Sequence, residues 1–561
     1  MKIAEQLQRY LYSRGVRNIF GIVGREASAI SFEEYCDINF VLTRHEMSAG
    51  TMAIAVSRFT RSPQVCFATI GPGITNLVTP IATAALDRYP LIVLGAQLET
   101  DEIDFNNAHQ CVDNISVVKP LTKFAYEVRD PNETISTLEK AICASMTQPF
   151  GPSFVSLPVN ILTSEAKNLT NKVTPPSAVE SFYDMRCSDY EEKLRDIVKM
   201  IESSRNPLIV VGDAALRVGE WNRIKHIAEG LNVPVVSSYS AKGVLPPEHP
   251  LYYGAITPYM DSVLGFPAIK SIFDEPDMLL LVGYDLVEHL YPKLWTTGNP
   301  KKIARLCAFT NNTPREVKPD IDAVGPLREG LQYLEDHISE ISGKEPYGIA
   351  KLKSKFKELA SDRKEHAAGI LPHQIFSVLN EHFSDYILAN DVGLHRHTSA
   401  LFYRANNPLD FVTSAGLSSF GTGIPLGIGS KIANPSREVV VICGDGGLLS
   451  NIGELETAAR IGLKLTVVLF SNKSSGLIER YQMMGHNKIN PSTVRMHPVN
   501  FAKIAEGCGC LGIKINSLDE FEPALERADG HGGVTLIEAP IHYPNLYINE
   551  FTKNYHLDHT S

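Results

Sequence analysis

Residues 439–451 read VVVICGDGGLLSN: five apolar residues, then Gly444, Asp445, Gly446 and Gly447. A short apolar run bounded by glycines is a buried strand of a parallel sheet. An acid framed by glycines at the end of that strand suits close approach to a ligand. Glycine lets the backbone come near, and Asp445 adds a hard oxygen donor suited to magnesium. Asn451 with Glu454 three residues on has the form of a capping box opening the helix ELETAARIG, whose N-terminal dipole favours phosphate. After the next strand, KLTVVLFS, comes Asn472, a neutral oxygen donor. Strand, helix and strand bring Asp445 and Asn472 to the same sheet edge, where ligands of such sheets gather. On its own the glycine run describes a tight turn; the spacing to Asn472 shifts the balance towards a diphosphate site.

Working outward, the chain reads as three α/β blocks. Strand-like FVLT, VCFATI, LIVLGA and FVSLPV alternate with helical patterns over 1–165. A second block, 190–341, opens with a helix into NPLIVVGDAAL and carries PVVSSY and DMLLLVGYD. A charged helical stretch, KEPYGIAKLKSKFKELASDRKEH, leads to the third block, 366–545, with YILANDVG, VVVICGDGG, KLTVVLFSN and VTLIEAP. A tail, 546–561, has no clear period. The expected fold class is α/β, with three doubly wound parallel sheets, and blocks one and three are candidates for a shared plan.

Composition narrows the function. The chain has 561 residues, is 44% hydrophobic and 21% charged, and carries a formal net charge of -10. That charge gives no reason to expect nucleic acid or an anionic membrane as partner. The start, MKIAEQLQRYLYSRGV, is a charged amphipathic helix pattern, and no run reaches the ~18 uncharged residues of a membrane span. A cytoplasmic enzyme acting on small molecules is the expectation. The nine cysteines are scattered and expected to be reduced packing residues. The one close pair, Cys508 and Cys510, lacks a second pair of metal ligands.

The GDGG, helix, strand and Asn arrangement resembles the thiamine diphosphate motif of the acetolactate synthase and pyruvate decarboxylase superfamily. That resemblance implies magnesium held by Asp445, Asn472 and the Ser474 carbonyl, with Gly446 and Gly447 against the diphosphate. Ser471 stands where the usual motif has a first Asn. The segment TRHEMSAGTMA resembles the superfamily's activating glutamate, which implies that Glu46 exchanges a proton with the cofactor's aminopyrimidine; GPGITN, 71–76, matches the neighbouring loop. TSAGLSSFGTGIP, 413–425, resembles the segment gripping the pyrimidine through Ser418, Ser419 and Phe420, with Phe420 where many relatives carry Met. NDVGLHRH resembles the second diphosphate loop, through Val392, Gly393, Leu394 and His395. In this superfamily the glutamate and the diphosphate site come from different subunits, which implies a homodimer or homotetramer.

GIVGREASAI, FVLTRHE, AHQCVDN, AKGVLP, ITPYMDSVLGFPA, LLVGYD, TSAGLSSFG and NKSSGLIERYQ together resemble the carboxyethylarginine synthases. These join glyceraldehyde 3-phosphate to the α-amine of arginine, eliminating water and phosphate, adding the amine and taking water back in a final hydrolysis, to give an N-carboxyethyl amino acid in antibiotic biosynthesis. The resemblance implies catalytic roles for His109 and Gln110, a phosphate-binding role for Arg396 with His397, and contacts of Tyr259 and Tyr543 with the amino acid. His289, following Glu288, stands where the arginine-using relatives carry a second acid; losing a carboxylate weakens a guanidinium site. Two alternatives remain open. One is an acetolactate-type carboligase joining 2-keto acids; the other is a non-catalytic binding or regulatory subunit on the same fold. LIVVGDAAL offers a single glycine where a dinucleotide turn wants several, which argues against FAD.

Overall fold

The computed structural model describes residues 1–27, 35–105, 109–165, 186–288, 300–310, 318–338, 344 and 349–544. His289 and the tail from 546 lie outside them. The described residues form three six-stranded sheets in which every pairing between named strands is parallel. The first sheet has β1 (Asn18–Ile22), β2 (Asn39–Leu42), β3 (Gln64–Ala68), β4 (Leu91–Gln97), β5 (Phe124–Glu127) and β6 (Pro152–Pro158), in the order β2-β1-β3-β4-β6-β5. The second has β7 (Pro207–Val211), β8 (Val235–Ser237), β9 (Tyr252–Ala255), β10 (Met278–Val282), β11 (Lys302–Cys307) and β12 (Ile321–Val324), in the order β12-β11-β10-β7-β8-β9. The third has β13 (Ile387–Asn390), β14 (Phe411–Val412), β15 (Val439–Gly444), β16 (Leu465–Ser471), β17 (Leu511–Lys514) and β18 (Val534–Pro540), in the order β14-β13-β15-β16-β18-β17.

Renumbered from its own first strand, the third sheet repeats the order of the first, the shared plan anticipated for blocks one and three. The second has the dinucleotide-fold order, 3-2-1-4-5-6, with its switch point between β7 and β10. The central strands are continuous apolar runs because helices cover both faces; every residue of β3, β4, β7 and β10 is buried.

By compactness the chain divides into two units, Met1–Asp184 with Gly416–Pro435, and Met185–Ala415 with Ser436–Ser561. In the first unit the helix Glu46–Thr60 starts on His45, whose side chain accepts from the Met47 amide, and stops at Arg61 in a left-handed turn, φ 53°. Its small residues let the helix Gly423–Ala433 approach closely: a Cβ on Gly429 would lie 2.5 Å from the Met52 carbonyl oxygen. In the second unit the two sheets and their helices share one buried cluster running from Leu208 and Leu281 through Phe376 and Tyr403 to Ile442 and Ile537. No described helix is long and apolar enough to cross a membrane.

Candidate active site

In the third sheet Asn390 pairs with Ile442 and Gly444 with Phe470, so β13 ends two residues short of β15, β16 runs one residue past it, and the three deliver Asp391, Asp445 and Asn472 to one edge. Asp445 opens the short helix Asp445–Ser450 and is buried. Its carboxylate accepts from Ser471 Oγ at 2.8 Å, the Asn472 amide at 2.8 Å and the Lys473 amide at 3.0 Å. Lys473, at φ 56°, makes the turn that follows Asn472. Asn472 Oδ1 accepts from the Ser474 amide at 3.2 Å, and Ser474 Oγ donates to Glu479, which also pairs with Arg495 at 2.9 Å. Ser471 supports the acid by donating to it, a part its sequence position did not reveal. The expected capping box does not open the next helix: Glu454–Arg460 begins after Gly453 with no side-chain cap, and Asn451 instead ends the preceding short helix.

The second loop closes on the first from β13. Asp391 is buried, its Oδ1 accepts from the Val392 amide at 2.7 Å, and a Cβ on Gly447 would come within 2.0 Å of its Oδ2. Gly447 is therefore required by the acid facing it. Gly393 precedes the helix Leu394–Phe402, and a Cβ there would meet the His395 ring at 2.5 Å. His395 is buried with Nε2 unpartnered. Burial, and then the neighbouring Arg396 charge, pull its pKa down to about 3, so the ring is a neutral polar group. A buried polar nitrogen without a partner, glycines pressed against carboxylates, and one carboxylate among amide and carbonyl oxygens form a cradle that fits a magnesium diphosphate. Among the described residues no group of three or more His, Cys, Asp or Glu gathers as a metal site, so Asp445 would be joined by neutral oxygens.

Other predicted residues separate into two places within this unit. A cavity of about 590 Å³ is walled by Leu394, Asn472, Glu479, Arg480, Arg495 and Tyr543. Arg480 fixes its rim by donating to the Tyr543 and Pro544 carbonyls at 2.6 and 3.2 Å. Arg396, His397 and Tyr259 do not line this cavity. They are buried together: Arg396 Nη1 donates to the Ser414 carbonyl at 2.7 Å with its guanidinium 5.6 Å from the Tyr239 ring, while His397 Nδ1 hydrogen-bonds Tyr239 and its ring lies 4.5 Å from that of Tyr259. Glu288 is also buried at the switch point of the second sheet. It accepts from the Asp213 and Asp285 amides at 2.8 and 3.0 Å and from Ser238 Oγ, and burial beside Asp213 raises its pKa.

In the first unit Glu46 is buried, and Asn76 of the GPGITN loop donates to its Oε2 at 3.0 Å. His109 and Gln110 are exposed; Gln110 sits at φ 60° with its carbonyl against Gly71 of the same loop. Ser418 is left-handed at φ 55°, and Phe420 is 59% exposed. Asp391, Asn76, Glu479 and Arg480 were not anticipated. Asp391 alone carried a signal, as the acid closing the strand YILAND.

Three families match along the chain: the N-terminal TPP binding domain of thiamine pyrophosphate enzymes over residues 1–117, their central domain over 194–334, and their C-terminal TPP binding domain over 391–539. The acetolactate synthase isozyme 3 large subunit of Escherichia coli K12 is 28% identical over 538 residues, covering 94% of this chain and 92% of that protein. A probable acetolactate synthase large subunit of Methanocaldococcus jannaschii is 29% identical over 540 residues, covering 94% and 90%. The thiamine diphosphate-dependent 4-hydroxybenzoylformate decarboxylase of Rhodococcus jostii RHA1 has the same fold, with a TM-score of 0.82 and 20% identity over 97% of this chain and 100% of that one. These similarities shift the expected chemistry from carboxyethyl transfer towards that of the acetolactate synthases. With matches on all three sheets, the chain belongs to the thiamine pyrophosphate-dependent enzymes, in the superfamily of the acetolactate synthases.

Proposed function

We propose that this enzyme is an acetolactate-type carboligase that joins small 2-keto acids with thiamine diphosphate and magnesium. The reading rests on similarity to acetolactate synthases along 94% of the chain, with Glu46, Asp445 and Asn472 all present. When bound, thiamine diphosphate supplies a nucleophilic carbon that takes up a carbonyl donor. Asp445, Asn472 Oδ1 and the Ser474 carbonyl are the magnesium donors in this reading, an all-oxygen set suited to a hard cation. The amides of Gly446 and Gly447 and those of Gly393 to His395 receive the diphosphate, while Val392, whose amide serves Asp391, packs beside it. Ser418, Ser419 and Phe420 hold the pyrimidine, and Glu46, with Oε2 fixed by Asn76, carries the activating proton on its other oxygen. His109 is the candidate proton carrier for substrate, and Gln110, exposed with its carbonyl against Gly71, is the candidate hydrogen-bonding partner that orients it. Arg480, Arg495 and Tyr543 wall the cavity that takes the acceptor. The amides a flavin pyrophosphate would use at the β7–β10 switch point already serve the Glu288 carboxylate, which supports a flavin-free enzyme. The assembly is at least a dimer in the cytoplasm.

A second reading, carboxyethyl transfer from glyceraldehyde 3-phosphate to an amino acid, arginine first, is supported by one cluster. Arg396 and His397 lie buried against Tyr239 and Tyr259, the last within ITPYMDSVLGFPA, a segment resembling the carboxyethylarginine synthases. The deciding experiment gives the holoenzyme pyruvate alone and, separately, glyceraldehyde 3-phosphate with each common amino acid, and weighs the products. Acetolactate that depends on both cofactor and magnesium supports the first reading. Phosphate release with an N-carboxyethyl amino acid replaces it by the second, and neither product in any mixture overturns both.

A further inference from the structure

A second cavity, of about 420 Å³, lies in the unit that carries the diphosphate loops but is built from other residues. The turn after β8 and strand β9 contribute Lys242, Tyr252 and Tyr253; the helix Ile349–Ala360 contributes Leu352 and Phe356. The helix Pro372–His382 and the far end of Leu394–Phe402 complete it. That last helix separates the two sites. Its first residues carry the diphosphate loop and its last, Leu401 and Phe402, line this cavity, so its nine residues hold them about 13 Å apart.

Lys242 is the unusual group. It is 5% exposed, its backbone amide donates to the Tyr239 carbonyl at 3.1 Å, and its ammonium has no hydrogen-bond or ion-pair partner among the described residues. Burial with no compensating charge lowers its pKa to about 7. The other charged groups on the wall do not neutralise it. Lys353 spends its ammonium on the His249 and Pro250 carbonyls at 3.0 and 3.4 Å, His373 bonds Asp362 at 3.0 Å, and Lys357 is exposed. Glu248 is the one acid on the wall and faces Arg404 at 3.7 Å. A cavity with surplus positive charge, a buried ammonium and an apolar wall has the composition of a ligand site, where a few placed polar groups orient an apolar body.

We propose that this cavity binds a small organic anion, its carboxylate or phosphate paired with the Lys242 ammonium and its apolar body against Leu352, Phe356, Leu401 and Phe402. The site is distinct from the cofactor site and independent of which substrates the enzyme joins. Pairing with an anion compensates the buried charge, which the free protein meets only by partial deprotonation.

The test uses holoenzyme saturated with thiamine diphosphate and magnesium, so that the diphosphate site is filled. Benzoate, phenyl phosphate and inorganic phosphate are titrated by calorimetry and by thermal denaturation. One aromatic probe binds the parent and raises its Tm, and which of the two binds tighter tells a carboxylate ligand from a phosphate ester. Inorganic phosphate, lacking the apolar body, binds at least tenfold more weakly. Lys242→Met weakens the aromatic probe at least tenfold, and Lys242→Arg retains it. Covalent labelling covers the case of a misfolded variant. Pyridoxal phosphate condenses through its aldehyde with the neutral Lys242 amine, losing water, and borohydride hydride reduces the imine to a stable amine located by peptide mass. That labelling is blocked by the tighter probe. No binding of any probe to the parent, unchanged affinity in Lys242→Met, or labelling of Lys242 that no probe blocks overturns the proposal.

Discussion

Replacing Asp445 by Asn separates the two tasks assigned to this carboxylate. In the protein it accepts from Ser471 Oγ, the Asn472 amide and the Lys473 amide, at 2.8, 2.8 and 3.0 Å. A hydrogen bond to a charged group is worth about 1.5–3 kcal/mol, and an unsatisfied buried donor costs a similar amount. Lys473 is exposed, so water takes over part of the loss there. Asp445→Ala should therefore cost about 2–4 kcal/mol of stability, and Asp445→Asn, which keeps one acceptor oxygen, about 1–2 kcal/mol. The magnesium site loses more, because Asp445 is its one proposed anionic ligand. A loss of about 3 kcal/mol or more in binding corresponds to at least a hundredfold. Denaturant unfolding of the apo protein measures the first quantity, and calorimetric titration of thiamine diphosphate with and without magnesium measures the second. An Asn variant that folds and binds the cofactor with magnesium within about threefold of the parent, well short of one tenfold step, would refute the assignment.

Gly447→Ala places a Cβ 2.0 Å from Asp391 Oδ2, so the two loops must separate; thermal unfolding should show a loss of about 1–3 kcal/mol, with cofactor affinity falling in parallel in calorimetry. His395, with a folded pKa of about 3 against the ordinary 6.5, gives a pH signature. As pH falls below 6.5 the unfolded chain takes up the proton first, so this stabilising contribution is complete above 6.5 and is lost on acidification, by up to about 1.4 kcal/mol per unit. Denaturant titrations of parent and His395→Gln between pH 6.5 and 4.5 should differ in slope by about that amount. Arg396→Lys cannot both reach the Ser414 carbonyl and lie flat near the Tyr239 ring, so it should cost about 1–3 kcal/mol in unfolding free energy.

What could be read from the sequence follows from locality. Apolar runs such as VVVICG and LTVVLFS announced β15 and β16, because strands buried on both faces have no polar alternation to blur them. Asp445 and Asn472 were legible because one helix and one strand fix their separation. The Asp391 contact with Gly447 was not, since it joins loops after β13 and β15 that meet only through sheet order. The setting of Glu288 was not legible for the same reason: the neighbouring ends of β7 and β10 turn it onto the Asp213 and Asp285 amides. Asn451 and Glu454 matched a capping pattern, but the short helix that precedes them ends on Asn451 and leaves Gly453 to start the next. The short strands β9, β12, β14 and β17 gave no separate signal, being held by partners distant in sequence.

The most direct test of the account is the rate of hydrogen–deuterium exchange at the thiazolium carbon of bound thiamine diphosphate, measured by NMR after acid quench in the parent and in Glu46→Gln. Glutamine preserves the size of the side chain and a carbonyl oxygen for Asn76, but it cannot carry the activating proton. The account predicts cofactor binding within about threefold of the parent and exchange slowed by at least ~100-fold. Exchange in Glu46→Gln as fast as in the parent, with cofactor bound, would contradict it.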